Sequence, residues 1–373
     1  GEATRVGGNY RAFDVMHDGE NCNWSLAMRY RTWVKKMYNV IVGENDKIMF
    51  QRTWVTSAHE QHSMATVYKE IFTDNIPVRN LYMSPYLSTT DRYFHQPYNP
   101  TFNQTPHNMI VLLTRLDYHS NANIATFPTF PGQYHQGGLK TIFTQKIQNV
   151  KGTDCGAAKL DDWNTDGVTA YVIWRLSWDH KEDLTSIARD FCAIHFGEEA
   201  ADQLAEIYLA SANAYKYGVY IEPVAHGDFR SLPHLRLTTF PVMGFPRLDH
   251  GKKHMDFLQT LFYRCQPWET ETLMYLDHGL DIANDMVEKF KPAKAKVNDA
   301  VKADEFENSL LLTQRLIKSN NLYVKTFFNY FTYREKSTPE NKSALAANAR
   351  ALRAAMDQFL ATPKCVYRLD GME

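Results

Sequence analysis

Before Asp179 the apolar residues of this chain gather in short dense runs, and beyond it they recur at helical spacing. Leu81–Leu87 and Met109–Leu116 have the length and apolar density of strands covered on both faces, as in a parallel sheet. Lys47–Val55 reads as another strand, and a further short one falls near Ile124 or Gly152. Helical stretches alternate with them. Trp24–Val42 places Leu26, Tyr30, Trp33, Val34 and Met37 at helical spacing before Gly43–Asp46 breaks it, and Ser57–Thr73 reads as a crossover helix. The alternation predicts an α/β fold, a partial or complete (β/α)8 barrel of the TIM type. A closed barrel takes about 250 residues, more than the stretch before Asp179 offers. The expected sheet is therefore one side of an incomplete barrel, completed by a longer polypeptide or by another chain, since half a barrel leaves open edges and an apolar face.

The helical part begins with Leu184, Ile187, Ala188, Phe191 and Ile194 on one stripe, closed by Gly197. Ala200–Tyr217 follows, and Leu273, Leu276, Ala283, Met286, Val287 and Phe290 mark a later helix. Leu310–Tyr333 is a long apolar and aromatic helix, and Thr338 with Pro339 opens the last one, whose Leu345, Leu352, Met356 and Phe359 face one side. These stripes read as core or subunit interface. Ile221–Arg247 shows no period and reads as disorder or as a shaped loop over the active face. Residues 1–178 are thus expected to form the barrel part and 179–373 a mostly α-helical C-terminal domain.

Composition narrows the partners. A formal net charge of −1 without a basic cluster excludes an electrostatic footprint for nucleic acid, and no apolar run approaches a membrane span. Five cysteines without a CxxC pair argue against a disulfide scaffold and a zinc site. Aromatic residues make up 13% of the chain, enough either to fill a core or to line a cleft where rings stack on sugar faces. In the loops after Tyr118 and from Gly152 to Asp166 no His or acidic pair has metal-ligand spacing, and a carboxylate mechanism requires no metal; no cofactor is expected.

Candidate chemistry lies at the strand ends. Asp91 follows the Leu81 run and Asp117 directly follows the Met109 run. In a β/α barrel those ends form the active face, so the two carboxylates either share a pocket or are merely solvated. Paired carboxylates in a pocket lined by Tyr, His and Trp suit sugar-cleaving chemistry. Arg52, on the Lys47 strand, either clamps a substrate carboxylate through parallel hydrogen bonds or pairs with an acid such as Asp91. The Pro- and Gly-punctuated stretch from Pro128 to Gly138 reads as a long aromatic loop, with His119 and His135 either lining the pocket or at the surface. Asp161, Asp162 and Trp163 stand on a second loop within reach of a substrate.

The order Asp91, Tyr93, Gln96-Pro97-Tyr98-Asn99-Pro100-Thr101-Phe102, Thr105-Pro106 and Asp117-Tyr118 resembles family-67 α-glucuronidases. Asp162-Trp163 followed by Tyr171–Phe191 is similar to that family's late barrel helix and the start of its helical domain. The resemblance covers roughly residues 1–230, with gaps. It implies inverting hydrolysis of a glycosidic bond in a uronic-acid-decorated or related plant or algal polysaccharide. Asp91 and Asp117 would then activate water, and Glu2, in the loop where the family keeps its general acid, would protonate the leaving oxygen; Glu20 is the alternative acid. Acid and base would sit roughly 6.5–9.5 Å apart. Arg52, Tyr86, Tyr93, Tyr118, His119, Asp162 and Trp163 would bind the substrate, an oligosaccharide or polysaccharide. Two residues depart from the pattern: Tyr86 stands where the family has a carboxylate-binding lysine, and Asp117 where it has a glutamate. A non-catalytic carbohydrate-binding relative and another barrel enzyme, such as a lyase, are the other readings. The expected protein partner is a second copy, through the helical domain, or a chain supplying the missing half of the barrel.

Overall fold

A computed structural model describes residues 25–52, 64–73, 75–88, 98–113, 127–144, 149–155, 162–163, 165–219 and 252–363. Contacts divide the chain into a first unit of Gly1–Leu116, Pro131–Ala158 and Ile173–Lys181, and a second of Asp117–Phe130, Lys159–Val172 and Glu182–Glu373.

In the first unit, helix α1 (Leu26–Tyr38) starts at Ser25, whose hydroxyl accepts the Met28 amide at 3.2 Å. It buries Ala27, Tyr30, Val34 and Tyr38, one stripe at helical spacing. A π-helical turn, Asn39–Glu44, follows. The strands are β1 (Met49–Arg52), β2 (Leu81–Ser84), β3 (Asn108–Leu113) and β4 (Val150–Cys155), with α2 (Ala65–Ile71) between β1 and β2 and α3 (Gly132–Thr144) between β3 and β4. All pairings are parallel and the order is β1-β2-β3-β4. A sequential order without reversal is what crossovers of one hand produce when each strand is laid beside the last. Each strand falls within or beside an expected run, and the short fourth one lies at the Gly152 alternative. Ile124 is outside the described residues.

The pairing Met49↔Leu81 and Met83↔Met109 puts Met49, Gln51, Leu81, Met83 and Met109 on one face of the sheet, and all of them are buried. Phe50, on the other face, is 63% exposed. The stretch expected as a loop around Gly137 is instead helix α3, and His135 is buried within it rather than at the surface. At the amino ends of the strands, His107 bonds through Nε2 to the Ile76 carbonyl (3.0 Å) and through Nδ1 to the Thr105 hydroxyl (3.2 Å). Asn149 donates from Nδ2 to the carbonyls of Thr105 (3.1 Å) and His107 (2.9 Å).

Helix α4 (Thr165–Trp178) carries the division between the units. The second unit then holds α5 (Leu184–Phe196), α6 (Glu198–Val219), α7 (Lys252–Cys265), α8 (Glu269–Ala293), α9 (Ala300–Glu335) and α10 (Pro339–Leu360). Among the described residues, no helix is long and apolar enough to cross a membrane. Gly197 ends α5 at φ +95°, a backbone conformation that a side chain would strain. Ile194 is 66% exposed, not part of the α5 stripe; Cys192 and His195, which continue the Ile187, Ala188, Phe191 spacing, are buried in its place.

Phe306 of α9 is the centre of this unit's packing. Its ring lies 4.7 Å from Phe290, 4.9 Å from Phe127, 5.2 Å from Phe196, 5.6 Å from Trp163 and 6.0 Å from Tyr208. Phe127 is also held through its main chain: its amide donates to the Thr313 hydroxyl and its carbonyl accepts from the Tyr215 hydroxyl, both at 2.8 Å. A second aromatic group, Phe262, Phe327, Phe328 and Phe331, packs α7 on α9.

Truncation of Phe306 opens the centre of a ring cluster. Phe306→Ala is expected to cost about 3–5 kcal/mol in a urea titration, more than any single truncation on the exposed side of α9. The His107 imidazole gives a pH signature. Burial lowers its pKa from 6.5 against the opposing effect of its bond to Ile76. Between that lowered value and 6.5 the unfolded chain binds more protons than the folded one, so stability rises with pH across this window and is lost on acidification. His107→Gln, followed by thermal melting from neutral to acidic pH, should flatten this part of the profile.

Candidate active site

The carboxyl ends of β1 and β2 bring together the first functional side chains. Arg52 is the last residue of β1 and stands opposite Ser84, the last of β2. Beyond Ser84 the chain continues to Tyr86, which is buried and forms a parallel bridge with Leu112 of β3. Arg52 donates from Nη2 to the Tyr86 hydroxyl, and its guanidinium carbon lies 5.1 Å from the Tyr86 ring centroid. The cation therefore stays at the solvent edge, held by a neutral partner. A guanidinium carries a fork of donors, and a phenol oxygen leaves part of that fork for a ligand's carboxylate or hydroxyls.

The segment after residue 97 returns to the same strand end. Tyr98 forms an antiparallel bridge with Ser88. The Asn99 amide donates to the Leu87 carbonyl (2.8 Å) and its Nδ2 to the Tyr86 carbonyl (3.1 Å), while its Oδ1 accepts from the Thr101 amide (2.9 Å) and hydroxyl (2.7 Å). Tyr98 donates its hydroxyl to the Tyr134 carbonyl of α3 (3.2 Å), with the two rings 5.1 Å apart. Burial raises the pKa of both phenols, Tyr134 further through its neighbour Tyr98, so both remain protonated hydroxyls in the neutral range. Two helical glycines make room for this arrangement. A Cβ on Gly137 would lie 2.4 Å from the Tyr98 hydroxyl, and one on Gly138 2.7 Å from the Leu87 side chain.

Of the residues expected to act, the structure joins Arg52 and Tyr86. Asp162 is partly exposed and Trp163 is buried, both in the second unit. The Trp163 ring packs on Phe196 and Phe306, and its carbonyl accepts from Tyr208 at 2.8 Å. Glu2, Asp91, Tyr93, Asp117, Tyr118 and His119 lie outside the described residues, as does Glu20. Asn99, Tyr98 and Tyr134 are additions that sequence reasoning missed as individuals. The signal for Tyr98 and Asn99 was the proline-punctuated run from Gln96 to Phe102, and for Tyr134 the aromatic stretch from Pro128 to Gly138. Among the described residues, no group of three or more His, Cys, Asp or Glu is placed to hold a metal ion.

No protein-family model matches the chain, and no curated protein matches it. Among solved structures it is similar to a GH138 enzyme targeting pectin rhamnogalacturonan II, with a TM-score of 0.53 and 10% identity, over 89% of this chain and 42% of that one. A GH115 4-O-methyl-α-glucuronidase with specificity for decorated arabinogalactans aligns at a TM-score of 0.41 and 11% identity, over 91% of this chain and 38% of that one. The chain spans less than half the length of either protein. The likeness to the first gives a glycoside hydrolase-like fold and does not single out family 67.

The fit of α3 against the strand end is directly testable. Gly138→Ala is expected to cost about 1–3 kcal/mol by overpacking. Leu87→Ala in the same chain should return part of that loss, because the colliding atoms are then gone. A double-mutant cycle in urea reads the coupling, and additive losses would contradict the contact.

Proposed function

We propose that the chain is part of a glycoside hydrolase acting on a uronic-acid-decorated or related plant or algal polysaccharide, with α-glucuronidase-like inverting chemistry. The observation that carries this reading is the Arg52–Tyr86 pair at the carboxyl ends of sequentially ordered parallel strands, in a glycoside hydrolase-like fold. Ligands of parallel β/α folds bind outside those ends. On this reading the sheet is part of a β/α barrel wall, residues 1–178 belong to the barrel and 179–373 to a helical domain.

Inverting hydrolysis needs an acid for the leaving oxygen and a carboxylate that activates water from the opposite face of the sugar. The assignment is Glu2 as acid and Asp91 with Asp117 on the water side. Arg52 takes the substrate carboxylate, and Tyr86, Tyr93, Tyr118 and His119 line the pocket; the Trp163 ring is taken up by the packing of the second unit. Tyr86 replaces the lysine of the resembling family, so the clamp has a single cation whose side chain is already engaged by a phenol. This favours a second reading: a carbohydrate-binding relative that kept the pocket without the turnover.

Release of uronic acid from aldouronic oligosaccharides, measured for the wild type and for Asp91→Ala and Asp117→Ala, tests both. Loss of a general acid–base group typically lowers kcat by about 10²–10⁴-fold, and each variant should fall in that range. Sugar binding without release in the wild type supports the binding relative. Neither binding nor release would end both readings. Arg52→Ala should remove most of any preference for a uronic acid over its neutral sugar.

A further inference from the structure

Two buried asparagines use the same chemistry at opposite ends of the sheet. Asn149, at the amino ends, donates from Nδ2 to the Thr105 and His107 carbonyls. Asn99, beyond the carboxyl ends, donates from Nδ2 to the Tyr86 carbonyl and from its amide to the Leu87 carbonyl, while Oδ1 gathers the amide and hydroxyl of Thr101. Both side chains are buried, Asn99 at 3% exposure and Asn149 at 9%. Their surroundings differ in one respect. The main chain that Asn99 fixes carries the Tyr86 ring, whose hydroxyl holds the Arg52 guanidinium. Among the described residues, the contacts of Asn149 lead to the Thr105 hydroxyl and the His107 imidazole, and to no arginine or lysine.

We infer that Asn99 is a positioning residue: it fixes the main chain of Tyr86–Ser88 and, through the Tyr86 phenol, sets where the Arg52 guanidinium meets a ligand's carboxylate. The inference rests on the proposed sugar-acid reading for the identity of the ligand, but its mechanical part does not. Without the carboxamide, the Tyr86 carbonyl loses a buried donor, and Thr101 loses the acceptor that turns the chain back toward Leu87. Tyr86 is then free to shift with its phenol, and Arg52 follows it.

Three variants of the same chain decide the matter: Asn99→Ala, the milder Asn99→Ser, which keeps a short acceptor and cannot span to Tyr86, and Asn149→Ala. Hydrogen exchange followed by mass spectrometry reads the mechanical part. Loss of a buried hydrogen-bond partner should speed exchange at Leu87 and Asn99 by about tenfold or more in the Asn99 variants, with Met109, bonded to the Asn149 carbonyl, unchanged. Binding of glucuronic acid against glucose reads the ligand part. The Asn99 variants should lose the acid preference to the same extent as Arg52→Ala, and combining either with Arg52→Ala should add nothing. Asn149→Ala should lower the melting temperature while leaving the preference intact. Uniformly faster exchange over all four strands, or an acid preference that survives in Asn99→Ser, would overturn the inference. If the wild type binds neither sugar, the functional reading fails, and the exchange pattern alone then decides whether Asn99 holds the strand end.

Discussion

Parallel strands end in backbone groups that their ladder does not use, and a buried carbonyl without a donor costs free energy comparable to a lost hydrogen bond. In this protein two side-chain carboxamides meet part of that demand. Asn149 takes up the carbonyls of Thr105 and His107 before β3, and Asn99 takes up that of Tyr86 beyond β2. Both carboxamides are neutral groups, so these carbonyls are met without placing a charge beside them. Arg52, at the β1 end, stays at the solvent edge with its guanidinium on the Tyr86 hydroxyl.

The second unit meets a different demand with rings. Phe306 collects partners from α5, α6 and α8 and from the segments around Phe127 and Trp163. Aromatic contacts of this kind, tilted or edge-on and, for Phe290, stacked, add to the burial of area itself. Trp163 is part of this cluster, so its large apolar ring serves packing, while its carbonyl serves Tyr208. The helices arrive at the cluster with conventional ends. Asp183 accepts the Ser186 amide and Thr338 the Asn341 amide, each satisfying a donor that the helix cannot.

The Thr338 end, and the strands, were legible in the sequence because they depend on local chemistry. Thr338-Pro339 announces a helix start whatever surrounds it, and the density of the Leu81 and Met109 runs reflects burial on both faces. Helix α3 was not legible: Gly132, Gly137 and Gly138 are poor helix formers, and the closeness of Tyr98 and Leu87 explains the use of Gly137 and Gly138. The phase of α5 was misread at Ile194 because Cys192 and His195 look less apolar than they behave when buried. Arg52 was legible as a candidate, but its partner was not, since the choice between Tyr86 and an acid depends on the register of β1 against β2. Asn99 was hidden for a similar reason: an asparagine beside proline reads as a turn, and its two carbonyl partners lie across the return of the chain. Asp91 and Asp117 lie beyond the described residues, so the carboxylate pair rests on sequence.

Where α6 meets α8, Gly279 faces Gly218 so closely that a Cβ on Gly279 would stand 2.1 Å from the Gly218 nitrogen. A side-chain collision elsewhere in a core is negotiable, because a smaller neighbour can absorb a larger one. Here the opposing atoms are main chain, which no substitution shrinks. A Cβ on Gly218 would in turn meet the Ile317 side chain at 2.6 Å, so that position alone has a neighbour able to yield. The crossing is thus asymmetric in the evolutionary sense: Gly218 can drift once Ile317 becomes smaller, whereas no compensating change opens a path away from glycine at Gly279. Variation in the helical unit has to spread around that point, and any library built on this scaffold will find it closed.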